Sequence, residues 1–171
     1  TFIYFSTCSI SDPSTANSVY VKHKLEMESL VSLHPGYLIF RLPQVVGFDG
    51  NIHNLLNFLF TSIKTETKFQ LWKNASRNIL DVEDIPALTE PFITDYKKHK
   101  KIINIANPIS YQIPQIVRTI EKFIGKIGNY EVIEAGENHS IDITDIVSII
   151  EKTNIEFNEK YLSKVIRKYF K

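Results

Sequence analysis

Cysteine is nearly missing. Cys8 stands alone among 171 residues, so no internal disulfide can form, and the usage fits a reducing compartment. No apolar run reaches bilayer length and no signal peptide is visible, so a cytoplasmic location without a membrane partner is expected. Charge of one sign is not in excess either. Twenty basic and nineteen acidic residues leave a net charge of +1, which gives no steering toward nucleic acid. The five histidines (His23, His34, His53, His99 and His139) show no ligand spacing with Cys8, so no metal is expected. Glycine is sparse, and none of the six forms G-x-G-x-x-G. Gly125-Lys-Ile-Gly128 ends a helical pattern rather than starting one. The turn that cradles a dinucleotide pyrophosphate is therefore not in this chain. Internal repeats, low-complexity tracts and a clear linker are missing as well.

What is present is ordinary globular material, 43% hydrophobic and 23% charged, enough for a sizeable core. "FIYF" (2–5), "YLIFRL" (37–42) and "KIINIA" (101–106) are short β-branched and aromatic runs that predict buried strands. "KFQLW" (68–72) and "RNILDV" (77–82) predict short strands joined by "KNAS", and "YEVIEA" (130–135) another. Helices are predicted over 19–33 behind an Asn17 or Ser18 cap, over 54–63, from the Asp84 cap through "IPALTEPFITDY", and over 110–128, with two more closing the chain. "VVGFDGN" (45–51) predicts loop, and the basic ending "KVIRKYFK" the wet face of a helix. Alternation of strand and helix indicates a parallel α/β sheet.

One spacing carries chemistry. Tyr20 and Lys24 are four apart and share a helix face. The motif alone is weak. With 8 tyrosines and 16 lysines in the chain, chance gives about 0.75 occurrences, and a second copy stands at Tyr96/Lys100 inside the charge run "DYKKHKK". Context separates the two. Tyr20 follows a strand that ends in Ser6-Thr7, and open α/β sheets place ligands at the C-terminal ends of their strands. An ammonium one turn from a phenol favours the phenolate, so the phenol could trade a proton with a substrate hydroxyl. On these residues alone, a core tyrosine beside a surface lysine remains open. Cys8 as a nucleophile lacks an evident base and reads as a small buried residue.

"FIYFSTCSI" followed by Tyr-x-x-x-Lys resembles the catalytic segment of the extended short-chain dehydrogenase/reductases, the NAD-dependent epimerase/dehydratase proteins that act on nucleotide sugars. The likeness continues through "LIFRLPQVVG" (38–47), similar to R-x-x-N-x-x-G, through "HNLL" (53–56), "RNILDVEDIPAL" (77–88) and "IINIANP" (102–108). It implies the C-terminal part of a Rossmann-like parallel sheet plus a small α/β substrate-binding region. Residues 1–45 would end the Rossmann-like domain. Residues 46–171 would mainly bind substrate, with the strand at 101–106 and its neighbouring helix returning to the sheet. The Gly-rich cofactor half would lie before Thr1, so this portion alone would be inactive.

The resemblance also implies roles. Tyr20 would be the general acid/base. Lys24 would hold the nicotinamide ribose of NAD or NADP and lower the tyrosine pKa. Thr7 would bond the reacting oxygen, and residues near Pro43 would line the nicotinamide pocket. Gln44 stands where the family has Asn, and with Asn54 and Arg77 it would bind the substrate, the last two at its phosphates. For Asn54 a plain helix cap, and for Arg77 a surface arginine, stay open. Cys8 and Ser9 occupy the places of the Asp-Glu pair of family dehydratases, so epimerisation or ketone reduction fits better than dehydration. A nucleotide-sugar epimerase or ketoreductase of polysaccharide biosynthesis, forming a homodimer, is the expectation. The alternative is a catalytically inactive relative that senses cofactor or assists assembly.

Overall fold

A computed structural model of the chain describes residues 1–48, 54–95, 97 and 99–171. His53 of the "HNLL" segment, Tyr96 of the second Tyr-x-x-x-Lys and the end of the predicted 45–51 loop lie outside the described residues. The chain forms two units. One comprises Thr1–Pro43, Glu83–Pro108 and Ile141–Ile155; the other comprises Gln44–Val82, Ile109–Ser140 and Glu156–Lys171. The return of 141–155 to the first unit has no counterpart in the sequence reading.

The first unit is built on β1 (Phe2–Thr7), β2 (Tyr37–Leu42) and β6 (Lys101–Asn104), a parallel sheet in the order β1-β2-β6. Strand β2 is central, and Leu38, Ile39 and Phe40 are fully buried. A parallel strand covered on both faces needs such an unbroken apolar run. The expectation that "FIYF" is buried is corrected. Strand β1 is an edge of this sheet, and Phe2 and Phe5 are 47% and 46% exposed. With one strand partner among the described residues, its apolar side chains are only half covered. Helix α1 (Val19–Val31) crosses between β1 and β2, and the Ser18 hydroxyl accepts from Val21 N–H at its start. On the other face Phe40 meets Phe92 of α3 (Ile85–Ile93) edge-on, 6.1 Å between ring centroids. A short helix, α5 (Val147–Ile150), packs on α3. Asp84, predicted to cap α3, makes no side-chain capping bond, because a 3-10 turn at Val82–Asp84 runs directly into the helix.

Cys8 follows β1 and is 5% exposed; its Sγ–H donates to the Arg41 carbonyl at 3.2 Å. Burial pushes this thiol up to about 12, although the Arg41 charge pulls the other way.

The second unit holds β3 (Gln44–Val46), α2 (Leu55–Lys64), β4 (Phe69–Trp72), β5 (Ser76–Asp81), β7 (Ser110–Gln112), α4 (Ile113–Ile124), β8 (Tyr130–Ile133) and α6 (Tyr161–Tyr169). Strand β5 pairs parallel with β3 and antiparallel with β7. Strand β4 pairs with β8, not with the nearby β5. Two sequence expectations change here. The predicted loop at 45–51 opens with a strand, and the predicted helix over 110–128 begins only at Ile113, since 110–112 serve β5. The helix ends at Gly125, whose φ of 75° suits a left-handed cap. Helices α2 and α4 bury apolar residues at i, i+3, i+4 and i+7: Leu56, Leu59, Phe60 and Ile63, then Ile113, Ile116, Val117 and Ile120. Gly136 has φ 89° and lies against Ala75, where a Cβ would come within 2.4 Å of the Ala75 Cβ. Only glycine fits there.

Helix α6 closes on the end of β5 through one buried carboxylate. Lys168 Nζ donates to Asp81 Oδ2 at 2.8 Å, and the Tyr169 hydroxyl donates to Oδ1 at 2.5 Å. The Asp81 N–H donates to the Tyr161 hydroxyl at 2.9 Å. Lys168 is thus not merely part of a wet face. Burial and the Asp81 bond push the Tyr169 phenol up to about 12.

Two outcomes follow from these contacts. Asp81→Ala removes the carboxylate from two donors, and urea unfolding should show a loss on the order of 3 kcal/mol. Lys168→Met leaves the buried carboxylate without its cation and should cost as much, about 3 kcal/mol. The second outcome concerns alkali. Free Cys8 ionises near 9 and the buried thiol near 12, so above about pH 9 the unfolded chain sheds a proton that the folded chain keeps. Stability is complete below that pH and falls as pH rises; Tyr169 adds the same sign above about 10. Cys8→Ser, which keeps a donor but does not titrate, should flatten the alkaline decline in melting temperature relative to the parent chain.

Candidate active site

The first cluster of candidate residues lies in the first unit, where β1 and β2 end. Their parallel register pairs Ser6 with Arg41 and Thr7 with Leu42, so Thr7 and the following Pro43 share one edge of the sheet. Thr7 is 6% exposed, and its Oγ1 accepts from Ser9 N–H at 3.1 Å, starting the turn Cys8–Ser11. A hydroxyl that accepts in this way still has a proton to donate.

Tyr20 stands in the first turn of α1 and is 55% exposed. One turn on, Lys24 reaches back to the sheet. Its ammonium donates to the Phe5 carbonyl at 3.0 Å and lies over the Tyr4 ring, 4.8 Å from the centroid. The same nitrogen is 5.8 Å from the centroid of Tyr20. The structure therefore brings Lys24 to Tyr20, and ties Lys24 to the strand that ends in Thr7.

Glu28 comes one more turn along α1. It is 4% exposed and takes two bonds from the Arg41 fork, 2.9 Å from Nε and 2.7 Å from Nη2. That hydrogen bonding raises the Arg41 guanidinium above its ordinary value. The Arg41 carbonyl also accepts from Ile105 N–H at 2.9 Å, besides Cys8. The sequence reading did not single out this pair.

The second cluster lies in the second unit. Gln44 Nε2 donates to Asn54 Oδ1 at 2.8 Å. The same Asn54 oxygen caps α2 by accepting from Leu56 N–H at 3.2 Å, and Nδ2 donates to the Val45 carbonyl at 3.2 Å. Asn54 is thus a helix cap wired to β3, with one amide proton beyond these bonds. Gln44 pairs with Ile79, and Arg77 lies two residues back on the same face of β5. Arg77 is half-buried and donates from Nη1 to the Ser76 carbonyl at 2.7 Å, which leaves other donors of its fork for a ligand. Among the described residues no group of three or more His, Cys, Asp or Glu could hold a metal ion, and no helix is long and apolar enough to cross a membrane.

No protein-family model and no curated protein matches the chain. Solved structures do. One is dTDP-glucose 4,6-dehydratase from Bacillus anthracis in complex with NAD, at TM-score 0.76 and 16% identity, covering 98% of this chain and 60% of that one. Another is UDP-glucuronic acid 4-epimerase from Bacillus cereus with UDP-glucuronic acid and NAD, at 0.75 and 19%, covering 99% and 62%. A third is RMD from Pseudomonas aeruginosa complexed with NADPH, at 0.74 and 13%, covering 98% and 65%. The chain spans about three-fifths of the length of these structures. The chain shares its mixed α/β fold, with parallel sheets, with these structures.

Proposed function

We propose that the chain is the catalytic and substrate-binding part of an NAD(P)-dependent nucleotide-sugar epimerase or ketoreductase. The observation that carries this reading is the reach of Lys24 from beneath Tyr20 to the backbone of the strand that ends in Thr7. It stands in a fold shared with proteins solved with NAD and a UDP-sugar.

In this reading Tyr20, Lys24 and Pro43 serve the nicotinamide end of the cofactor, and Gln44, Asn54 and Arg77 the nucleotide sugar. The residues present fit the nicotinamide end: an ammonium for ribose hydroxyls at Lys24, and an apolar wall from Pro43. When bound, the cofactor supplies the group that takes and returns hydride. The chain's own residues move the proton. Tyr20 exchanges it with the sugar hydroxyl, and Thr7 donates a hydrogen bond to the same oxygen. Arg77 offers a planar fork to the diphosphate. Gln44 and Asn54 shape that site, Asn54 through the α2 N-terminus that it caps.

Dehydration lacks its tools here. Cys8 keeps its proton to about 12 and spends it on the Arg41 carbonyl, so it supplies no base beside Thr7. The exposed Val19 and Leu30 on the outer side of α1 support a homodimer.

Tyr20→Phe in the intact protein should lower turnover of a UDP-sugar by about 100-fold or more, with folding unchanged. Turnover within a few-fold of the parent would make the assignment wrong. Tight NAD(P)H binding without turnover on a panel of nucleotide sugars would instead favour the inactive relative.

A further inference from the structure

Helix α1 has little apolar grip on the sheet. Of its thirteen residues only Val21, Glu28 and Val31 are buried. Two valines supply about 2 kcal/mol each and do not set the rotation of a helix about its axis. The link that does is polar. The Glu28 carboxylate takes both of its bonds from the Arg41 fork, and such a pair fixes orientation as well as distance. Tyr20, Lys24 and Glu28 follow one another at i+4, so they form one stripe. Holding Glu28 therefore holds the angle at which Lys24 meets the Phe5 carbonyl and the Tyr20 ring. The backbone of Arg41 serves the other arm of the site, since its carbonyl accepts from Cys8, the residue after Thr7.

We infer that the Glu28–Arg41 pair positions Tyr20 and Lys24 against the Thr7 end of the strand for proton transfer. Both are positioning residues, and neither touches the substrate. The inference rests on the proposed roles of Tyr20 and Lys24.

The test uses the intact protein with NAD and a UDP-sugar. Glu28→Gln keeps the shape and breaks the charged fork. Glu28→Leu with Arg41→Met keeps the packing and has no fork; apolar replacement of a buried pair commonly preserves stability. In either variant kcat per folded molecule should fall about tenfold or more, as small misplacements do. KM for the sugar should stay within about twofold, because the sugar's grip resides elsewhere. Amide hydrogen exchange over α1 should quicken about tenfold while α4 is unchanged. A kcat within twofold of the parent in a folded variant overturns the proposal, whatever the melting temperature does; so does unchanged exchange over α1. Tyr20→Phe separates the two readings. If it abolishes turnover while Glu28→Gln does not, only the positioning role falls; if turnover survives Tyr20→Phe, both fall.

Discussion

The parallel pairing of β1 with β2 is the constraint on which the first unit depends. Parallel strands in register bring their C-terminal ends to one edge. The offset that pairs Phe2 with Tyr37 also pairs Thr7 with Leu42, and so sets a hydroxyl and Pro43 side by side. A slip of one residue would turn Thr7 to the other face of the sheet. Strand β2 anchors the pairing, with Leu38, Ile39 and Phe40 all fully buried.

Both units use the same device to close a helix on a strand end, a buried carboxylate. Glu28 of α1 meets Arg41 of β2, and Asp81 of β5 meets Lys168 and Tyr169 of α6. A buried carboxylate is a poor source of net stability and a good source of orientation. The two uses differ in consequence. Helix α6 also buries Tyr161, Leu162, Val165 and Ile166, so Asp81 trims a contact that apolar burial already drives. Helix α1 has no such stripe, so its angle depends far more on Glu28.

Much of this was legible wherever one local rule decides. Strand β2 was readable to the residue because a central parallel strand is a continuous apolar run. The Ser18 start of α1 was readable because a capping hydroxyl is a local event. What failed depended on distant partners. Residues 110–112 look helical until β5 claims them as a strand, and β4 finds its partner in β8, about sixty residues away, rather than across "KNAS". Strand β1 was read as buried because its composition matches that of β2, yet composition does not say how many neighbours a strand has. Of the candidate site residues, the Tyr20–Lys24 neighbourhood was legible from motif and spacing, whereas the Gln44–Asn54 contact emerged only from the structure. The Glu28–Arg41 bond was not legible either, because nothing local connects a helix glutamate to a strand arginine thirteen residues on.

Hydrogen-bond capacity separates the residues that shape a site from those free to act in it. Asn54 gives its oxygen twice and its amide once to the protein. Cys8 is buried and donates its S–H to the Arg41 carbonyl. Thr7 accepts one bond and keeps a proton to donate, and Arg77 commits one donor of a fork with five. Tyr20 is more than half exposed. Those three keep hydrogen-bonding capacity or exposure that Asn54 and Cys8 have given up.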